Sequence, residues 1–244
     1  MAFLFDSKSK NIVETVNVEE STTTNYDGII TIIDGETESN FTNTWGNLIA
    51  DGYPICSSLV IDNVGKDGHM NWQTVEALND IGVEFIFHSC DHVSYNNRTI
   101  DDVKKDLERG TKTMEEHNID HKIILWLDQT KEELCELGYD YFDGGIVSKS
   151  DSKAIYGEKN NRMMNEHVIG WYPDRNCSLA ELVQFIEIAR KNNGWAIIFT
   201  RNPYIDSTQI DIYRKAFQYA EEHNVGIVSA SEGFDLFYGN KLGR

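Results

Sequence analysis

Short apolar segments rich in β-branched residues recur along the chain at regular intervals. They cover residues 29–33, 56–61, 83–87, 123–127, 168–171, 195–200 and 225–228. Continuous apolar runs of this length are typical of strands in a parallel sheet, because helices cover both faces of such a sheet. The segments between them have the period of amphipathic helices. The pattern therefore predicts a parallel sheet whose strands are joined by crossover helices.

The helix that follows residue 177 has the clearest sequence pattern. Ser178 and Glu181 have the spacing of a capping box, in which each side chain binds the backbone N–H of the other residue. Asn193 and Gly194 are typical of helix C-termini, so we expect this helix to end just before the strand at 195–200. The apolar stripe between these signals comprises Leu179, Leu182, Val183, Ile186 and Ala189.

About seven strand–helix repeats follow residue 28, which fits a closed or nearly closed (β/α) barrel, with a doubly wound α/β sheet as the alternative. Residues 1–27 are polar and lack this periodicity. We therefore expect a short N-terminal extension or attachment arm at 1–27, followed by one domain at 28–244. In either architecture, functional side chains gather at the carboxyl ends of the strands.

The overall charge of the chain limits its partners. The 244 residues include 22 basic and 40 acidic side chains, for a formal net charge of −18. Nucleic acid and membrane surfaces are therefore not expected partners. A membrane-spanning helix is not predicted, because no run of about 18 apolar residues occurs. Residues 1–10 lack the features of a signal peptide, so the expected location is the cytoplasm or a phage particle assembled there.

Residues of the types that bind metal ions follow two of the predicted strands. Asp34 comes directly after the first strand, and His88 and His92 come after the third. The H-x-x-x-H spacing brings both rings to one side if the loop turns helically. One carboxylate and two imidazoles form a recurrent divalent-metal site that leaves room for water. Asp-Gly after a strand is also common as a simple turn, so the three residues together carry this hypothesis.

Two motifs resemble those of the NodB-type polysaccharide deacetylases, carbohydrate esterase family four. That family carries T-F-D-D-G on its first strand and H-[ST]-x-x-H after its third. Here residues 31–35 read T-I-I-D-G and residues 88–92 read H-S-C-D-H. The resemblance implies a distorted seven-stranded barrel that removes acetyl groups from N-acetylated, cell-wall type glycans. It also implies that Asp34, His88 and His92 hold a divalent metal ion, expected to be zinc, and that Ser89 braces the histidine loop.

The sequence departs from the family where the catalytic residues are expected. Ile33 stands in place of the Asp that serves as base, and Arg201 in place of the His that serves as acid. Neither side chain can transfer a proton at neutral pH. Glu36 or Asp91 could replace the base, so the candidate catalytic residues are Glu36, Asp91 and Arg201. Alternatively, the domain binds carbohydrate or serves assembly without turnover, for example in a phage tail. In a third hypothesis the three predicted ligands are only structural.

Aromatic residues near the ends of predicted strands are candidates for binding a sugar, because aromatic rings pack against the apolar faces of pyranose rings. Trp126, Trp171 and Tyr204 meet this condition, whereas Trp195 begins an apolar strand and is expected in the core. No phosphate-binding glycine motif or nucleophilic serine motif occurs. The expected partner is therefore a glycan, and the N-terminal extension offers a point of attachment to a larger assembly.

Overall fold

The computed structural model describes residues 26–127, 130–147, 155–156, 168–171, 173, 177–201 and 205–238. The strands in these ranges are β1 (Gly28–Asp34), β2 (Ile55–Leu59), β3 (Phe85–Phe87), β4 (Ile123–Trp126), β5 (Gly144–Val147), β6 (Ile155–Tyr156), β7 (Val168–Trp171), β8 (Trp195–Thr200) and β9 (Val225–Ile227). They form one sheet in the order β6-β5-β4-β3-β2-β1-β8-β7, and β9 pairs with β1. The pairing of β5 with β6 is antiparallel, and the others are parallel.

Seven helices connect or follow these strands in the described ranges. They are α1 (Phe41–Ala50), α2 (Trp72–Asp80), α3 (Ile100–Glu116), α4 (Glu132–Gly138), α5 (Leu179–Lys191), α6 (Ser207–Glu222) and α7 (Ala230–Tyr238). Short 3-10 turns lie at Ile61–Asn63 and Tyr95–Asn97. The capping box of α5 is confirmed, since Ser178 accepts from the Glu181 N–H and Glu181 accepts from the Ser178 N–H.

Alternate side chains of β1 belong to two separate cores. Ile30 and Ile32 pack into the large core formed with the surrounding helices. Ile29 and Ile33 pack into a second core with side chains from other strands and from α7. This arrangement is that of a curled parallel sheet with helices outside it, because the second core fills the inside of the curl. The prediction of a distorted (β/α) barrel is confirmed.

Helix α7 covers the amino-terminal end of the sheet. The ring of Phe234 lies 5.0 Å from that of Trp195, the first residue of β8. The same ring would meet any Cβ added at Gly144, the first residue of β5, at 2.6 Å. The carboxyl ends of the strands therefore form the open edge of the barrel.

Tyr26 and Asp27 pack against this body, although the sequence pattern assigned them to the extension. The Asp27 N–H donates to the Asn224 carbonyl at 3.0 Å, and the Tyr26 ring lies against Gly226. Residues 1–25 lie outside the described ranges, so the extension itself stays a prediction. In the described part, no helix is both long enough and apolar enough to span a membrane.

Candidate functional site

A cavity of about 160 Å³ opens at the carboxyl edge of the sheet, among the ends of β1, β3, β4 and β8. One part of its wall is polar and contains Glu36, His88, His92 and Arg201. The remaining wall is largely apolar. The lining residues are Ile33, Gly35, Glu36, Ser58, His88, His92, Leu125, Trp126, Leu127, Phe199, Thr200 and Arg201. The cavity thus combines two imidazoles, one carboxylate and one guanidinium with an apolar surface.

His88 directly follows β3 and is fixed at both its backbone and its ring. Its N–H donates to the Leu59 carbonyl at 2.9 Å. Its Nδ1 lies 2.6 Å from the Leu125 carbonyl oxygen, which can only accept, so Nδ1 carries the proton and donates. Nε2 is then left with a lone pair. Burial lowers the pKa of His88 to about 4, which keeps the ring neutral at neutral pH.

His92 reaches the same cavity from the far end of the loop. Its N–H donates to Ser89 Oγ at 2.9 Å, so Ser89 braces the loop as the family resemblance implied. The centroids of the two imidazole rings are 5.1 Å apart. Nε2 of His92 lies 3.6 Å from Oε1 of Glu36. The loop therefore brings both imidazoles to one wall, next to a carboxylate.

Glu36 lies between His92 and Arg201. Its N–H donates to Ser58 Oγ at 2.8 Å, which holds the turn after β1 against the end of β2. Its Oε1 accepts a hydrogen bond from Nη2 of Arg201, the residue that follows β8. Two of the three candidate catalytic residues, Glu36 and Arg201, are thus in direct contact within the cavity.

Asp34 occupies a different position from the two histidines. It is fully buried, and its Oδ1 accepts a hydrogen bond from Thr200 Oγ1 at 2.7 Å. Thr200 lines the cavity, whereas Asp34 does not. Across the described ranges, no three His, Cys, Asp or Glu side chains form a group that could hold a metal ion. The metal site of Asp34, His88 and His92 stays a prediction.

The other predicted site residues are dispersed. Asp91 lies outside the cavity lining, and its Oδ1 accepts from Arg98 Nη2 at 2.5 Å. Trp126 is 1% exposed and forms part of the cavity wall. The ring of Trp171 packs on that of Phe185 in α5, with centroids 5.3 Å apart. Tyr204 lies outside the described residues. The roles of these residues stay predictions.

Unusual backbone conformations are concentrated in the two segments that carry the polar wall. Among the described residues other than glycine and asparagine, φ is positive at Glu36 (64°), Thr37 (53°), Ser89 (71°) and His92 (59°). Each such conformation costs free energy for a residue with a Cβ, and it persists only where surrounding contacts hold it. This distribution supports a functional role for both segments.

Glu38 does not line the cavity but interacts electrostatically with Asp34, Glu36 and Arg201, and the sequence reasoning missed it. Burial raises the pKa of Glu38 to about 7, with further upward contributions from the charges of Asp34 and Glu36 and a downward one from Arg201. Its backbone bridges to that of His69, whose Nδ1 lies 2.9 Å from the Glu36 carbonyl oxygen. The E-x-E spacing after the first strand was the available signal.

Comparison with solved structures identifies proteins with the same fold. One is the carbohydrate esterase family 4 domain of a multidomain xylanase from the hindgut metagenome of Trinervitermes trinervoides, at a TM-score of 0.58 and 13% identity, covering 87% of this chain and 91% of that one. A second is a mutant of a family 4 pseudoenzyme with restored enzymatic activity, at 0.58 and 12%, covering 85% and 68%. A third is the Puue allantoinase, at 0.64 and 10%, covering 88% and 91%.

These similarities show that the chain shares its fold with these proteins. The fold also occurs in the wild-type form of the second protein, a pseudoenzyme from Bacillus anthracis. No family model matches the sequence. No curated protein matches it either. The activity of this chain must therefore be argued from its own cavity.

Proposed function

We propose that the protein is a metal-dependent deacetylase of N-acetylated glycans whose turnover is reduced by the loss of two proton-transfer groups. The convergence of Glu36, His88, His92 and Arg201 on one cavity carries this proposal. The apolar part of the lining includes Leu125, Trp126 and Phe199, which suit the methyl group of an acetyl substituent. The structural likeness to carbohydrate esterases supports the same class of substrate.

The donor types at the cavity, two imidazoles with a carboxylate nearby, are those that a divalent ion such as zinc binds. His88 donates from Nδ1 to a backbone carbonyl, an interaction that fixes metal-binding histidines in many proteins and directs Nε2 at the ion. His92 would supply the second imidazole. The carboxylate would come from Asp34, as the resemblance implies. When bound, such an ion acidifies water and polarises a carbonyl group.

Glu36 is the residue proposed to accept the proton from the attacking water. Ile33, which occupies the family's base position, lines the cavity but has no ionisable group. Glu36 provides a carboxylate in the same cavity, whereas the carboxylate of Asp91 is bound by Arg98 outside it. Arg201 already occupies one oxygen of Glu36, which limits its use as a base. We therefore expect slow hydrolysis.

Arg201 is proposed to orient rather than to transfer a proton. Its guanidinium stays charged at neutral pH, so it can donate hydrogen bonds to an oxygen of the substrate but cannot act as an acid. The leaving amine must then take its proton from water or from a group that has just been protonated. This deficiency is a second reason for slow turnover, because a general acid typically contributes about 10²–10⁴-fold.

The deciding experiment measures acetate release from chitooligosaccharides with and without added zinc. We expect slow release that requires zinc and falls at least tenfold in Glu36→Gln, as expected for the loss of a general base. Glu76→Gln is a matched control, because Glu76 also contacts a histidine, His117, at 2.6 Å on the outside of the barrel. Oligosaccharide binding without acetate release in the presence of zinc would instead identify a carbohydrate-binding domain, with the predicted N-terminal extension at 1–27 as the proposed attachment arm.

A further inference from the structure

The loop that carries both histidines, residues 88–92, is held by hydrogen bonds at successive backbone positions. The carbonyls of Ser89 and Cys90 accept from the N–H groups of Ile61 and Asp62 at 3.3 and 2.7 Å. The Cys90 N–H points the other way and donates to Oδ2 of Asp106 at 3.0 Å. The contacts to Ile61 and Asp62 come from the turn after β2, and the contact to Asp106 comes from α3.

Ile61 and Asp62 bind the loop through their backbone N–H groups, whereas Asp106 binds it through a charged side chain. It is only 6% exposed, and besides Cys90 its Oδ2 accepts from the hydroxyl of Tyr95 at 2.6 Å. Its Oδ1 lies 3.5 Å from Nη1 of Arg98 and 3.9 Å from Nη2 of Arg109. A buried carboxylate is tolerated when hydrogen bonds and opposite charges surround it, and Asp106 has both.

Arg98 connects Asp106 to the rest of the loop through hydrogen bonds. Its Nη2 donates to Oδ1 of Asp91 at 2.5 Å and to the Val93 carbonyl at 3.2 Å. Through Arg98, Asp106 is thus connected to the residues on both sides of His92. Arg109 makes a similar connection to the turn after β2, since it binds both oxygens of Asp62, at 2.6 and 2.9 Å.

The loop needs such support because its backbone is strained. Ser89 and His92 both have positive φ, at 71° and 59°. Positive φ costs free energy for a residue with a Cβ, so an unsupported loop would relax toward other conformations. Relaxation would move the rings of His88 and His92 relative to each other and to Glu36.

We infer that Asp106 is a positioning residue, which fixes the histidine loop so that His88 and His92 face the cavity together. It contacts neither the cavity nor any group that would touch a substrate, and it acts through the Cys90 N–H and through Arg98. The significance of this role for catalysis rests on the proposed function. The effect on the loop itself does not, and it can be measured in the metal-free protein.

The test compares Asp106→Ala and Asp106→Asn with the unmodified protein. Nuclear magnetic resonance of the metal-free proteins reports the ring nitrogens of His88 and His92, and competition with a chelating dye reports zinc affinity. We expect Asp106→Ala to shift both sets of ring resonances and to weaken zinc binding about 10–100-fold, the usual effect of removing an outer partner of a metal site. Asp106→Asn keeps one acceptor oxygen and should restore part of both properties.

Met114→Ala is the matched control, because Met114 is a fully buried residue about 12 Å farther along α3 than Asp106. It should lower stability while leaving the histidine resonances and zinc affinity unchanged. If Asp106→Ala does not fold, Asp106→Asn decides the question. Unchanged histidine resonances in the folded Asp106 variant would overturn the inference. If the unmodified protein binds no zinc, the proposed function fails, and the resonances still decide the role of Asp106.

Discussion

Thr200 donates a hydrogen bond from Oγ1 to Oδ1 of Asp34 at 2.7 Å, and the two residues are register partners on β8 and β1. Thr200 lines the cavity, but Asp34 does not. The carboxylate that does face the two histidines belongs to Glu36, two positions later. The turn after β1 thus presents a carboxylate to the cavity, whereas the residue of β1 that lines it is Ile33.

The hydrogen bond to Asp34 should be measurable as stability. Thr200→Val preserves the shape of the side chain but removes the donor to a fully buried carboxylate. We expect the free energy of unfolding to fall by about 1–3 kcal/mol in urea titrations of the metal-free protein. Thr113→Val is the control, since the Thr113 hydroxyl binds only a helix carbonyl near the surface. Equal losses in both variants would mean that the Asp34 contact contributes nothing specific.

Restoring a base at the strand end should increase activity. Ile33 lines the cavity, so Ile33→Asp would place a carboxylate there, and we expect acetate release to rise about 10²-fold. The same change should reduce stability, because Ile33 is 1% exposed and a charge replaces an apolar side chain. Ile33→Asn introduces a side chain of nearly the same size as aspartate but without a basic carboxylate. It should therefore lower stability without raising the rate of acetate release. Equal rates for the two variants would argue against a role as base at this position.

Metal uptake should depend on His88. His88→Ala removes the ring whose Nε2 faces the proposed ion, and we expect calorimetric zinc binding to weaken by at least 10²-fold, given three protein ligands in such sites. His121→Ala is a suitable control, because His121 interacts with Glu115 and the Tyr141 carbonyl, away from the cavity. Unchanged zinc binding in His88→Ala would place the ion elsewhere or show that the histidines are structural.

Glu38 should make stability depend on pH. Its folded-state pKa of about 7 lies above the ordinary value of 4.5. The protonated carboxyl therefore stabilises the fold fully below pH 4.5, and this contribution is lost as the pH rises through 7. Glu38→Gln should raise the free energy of unfolding by about 1 kcal/mol at pH 8 and change it little at pH 4.5. The exposed Glu116→Gln should show no such difference, and a parallel pH dependence in both variants would contradict the assignment.

The sequence was sufficient for the fold because the fold depends on features that are local in the chain. Apolar runs predicted seven of the nine strands in the described ranges but missed β5 and β6. The capping box at Ser178 predicted the start of α5 at the observed residue. Parallel strand ends meet at one edge, so the sequence could also predict that His88, His92, Glu36 and Arg201 would come together there.

The orientation of individual carboxylates was not predictable in the same way. Successive residues of a strand point to opposite faces, so a motif match cannot determine whether Ile33 or Asp34 lines the cavity. The positive φ values at Glu36 and Thr37 then redirect the chain, and nothing in the local sequence requires them. Asp91 shows the same limit, because its pairing with Arg98 depends on how the chain folds back between these two residues.

Helix α7 closes the amino-terminal end of the barrel, because Phe234 packs against the first residues of β5 and β8. A ligand that enters the described cavity from the carboxyl edge therefore has to leave by the same opening. If the protein deacetylates glycans as proposed, acetate released in the cavity would have to leave by the opening through which the sugar enters. We would then expect added acetate to slow turnover.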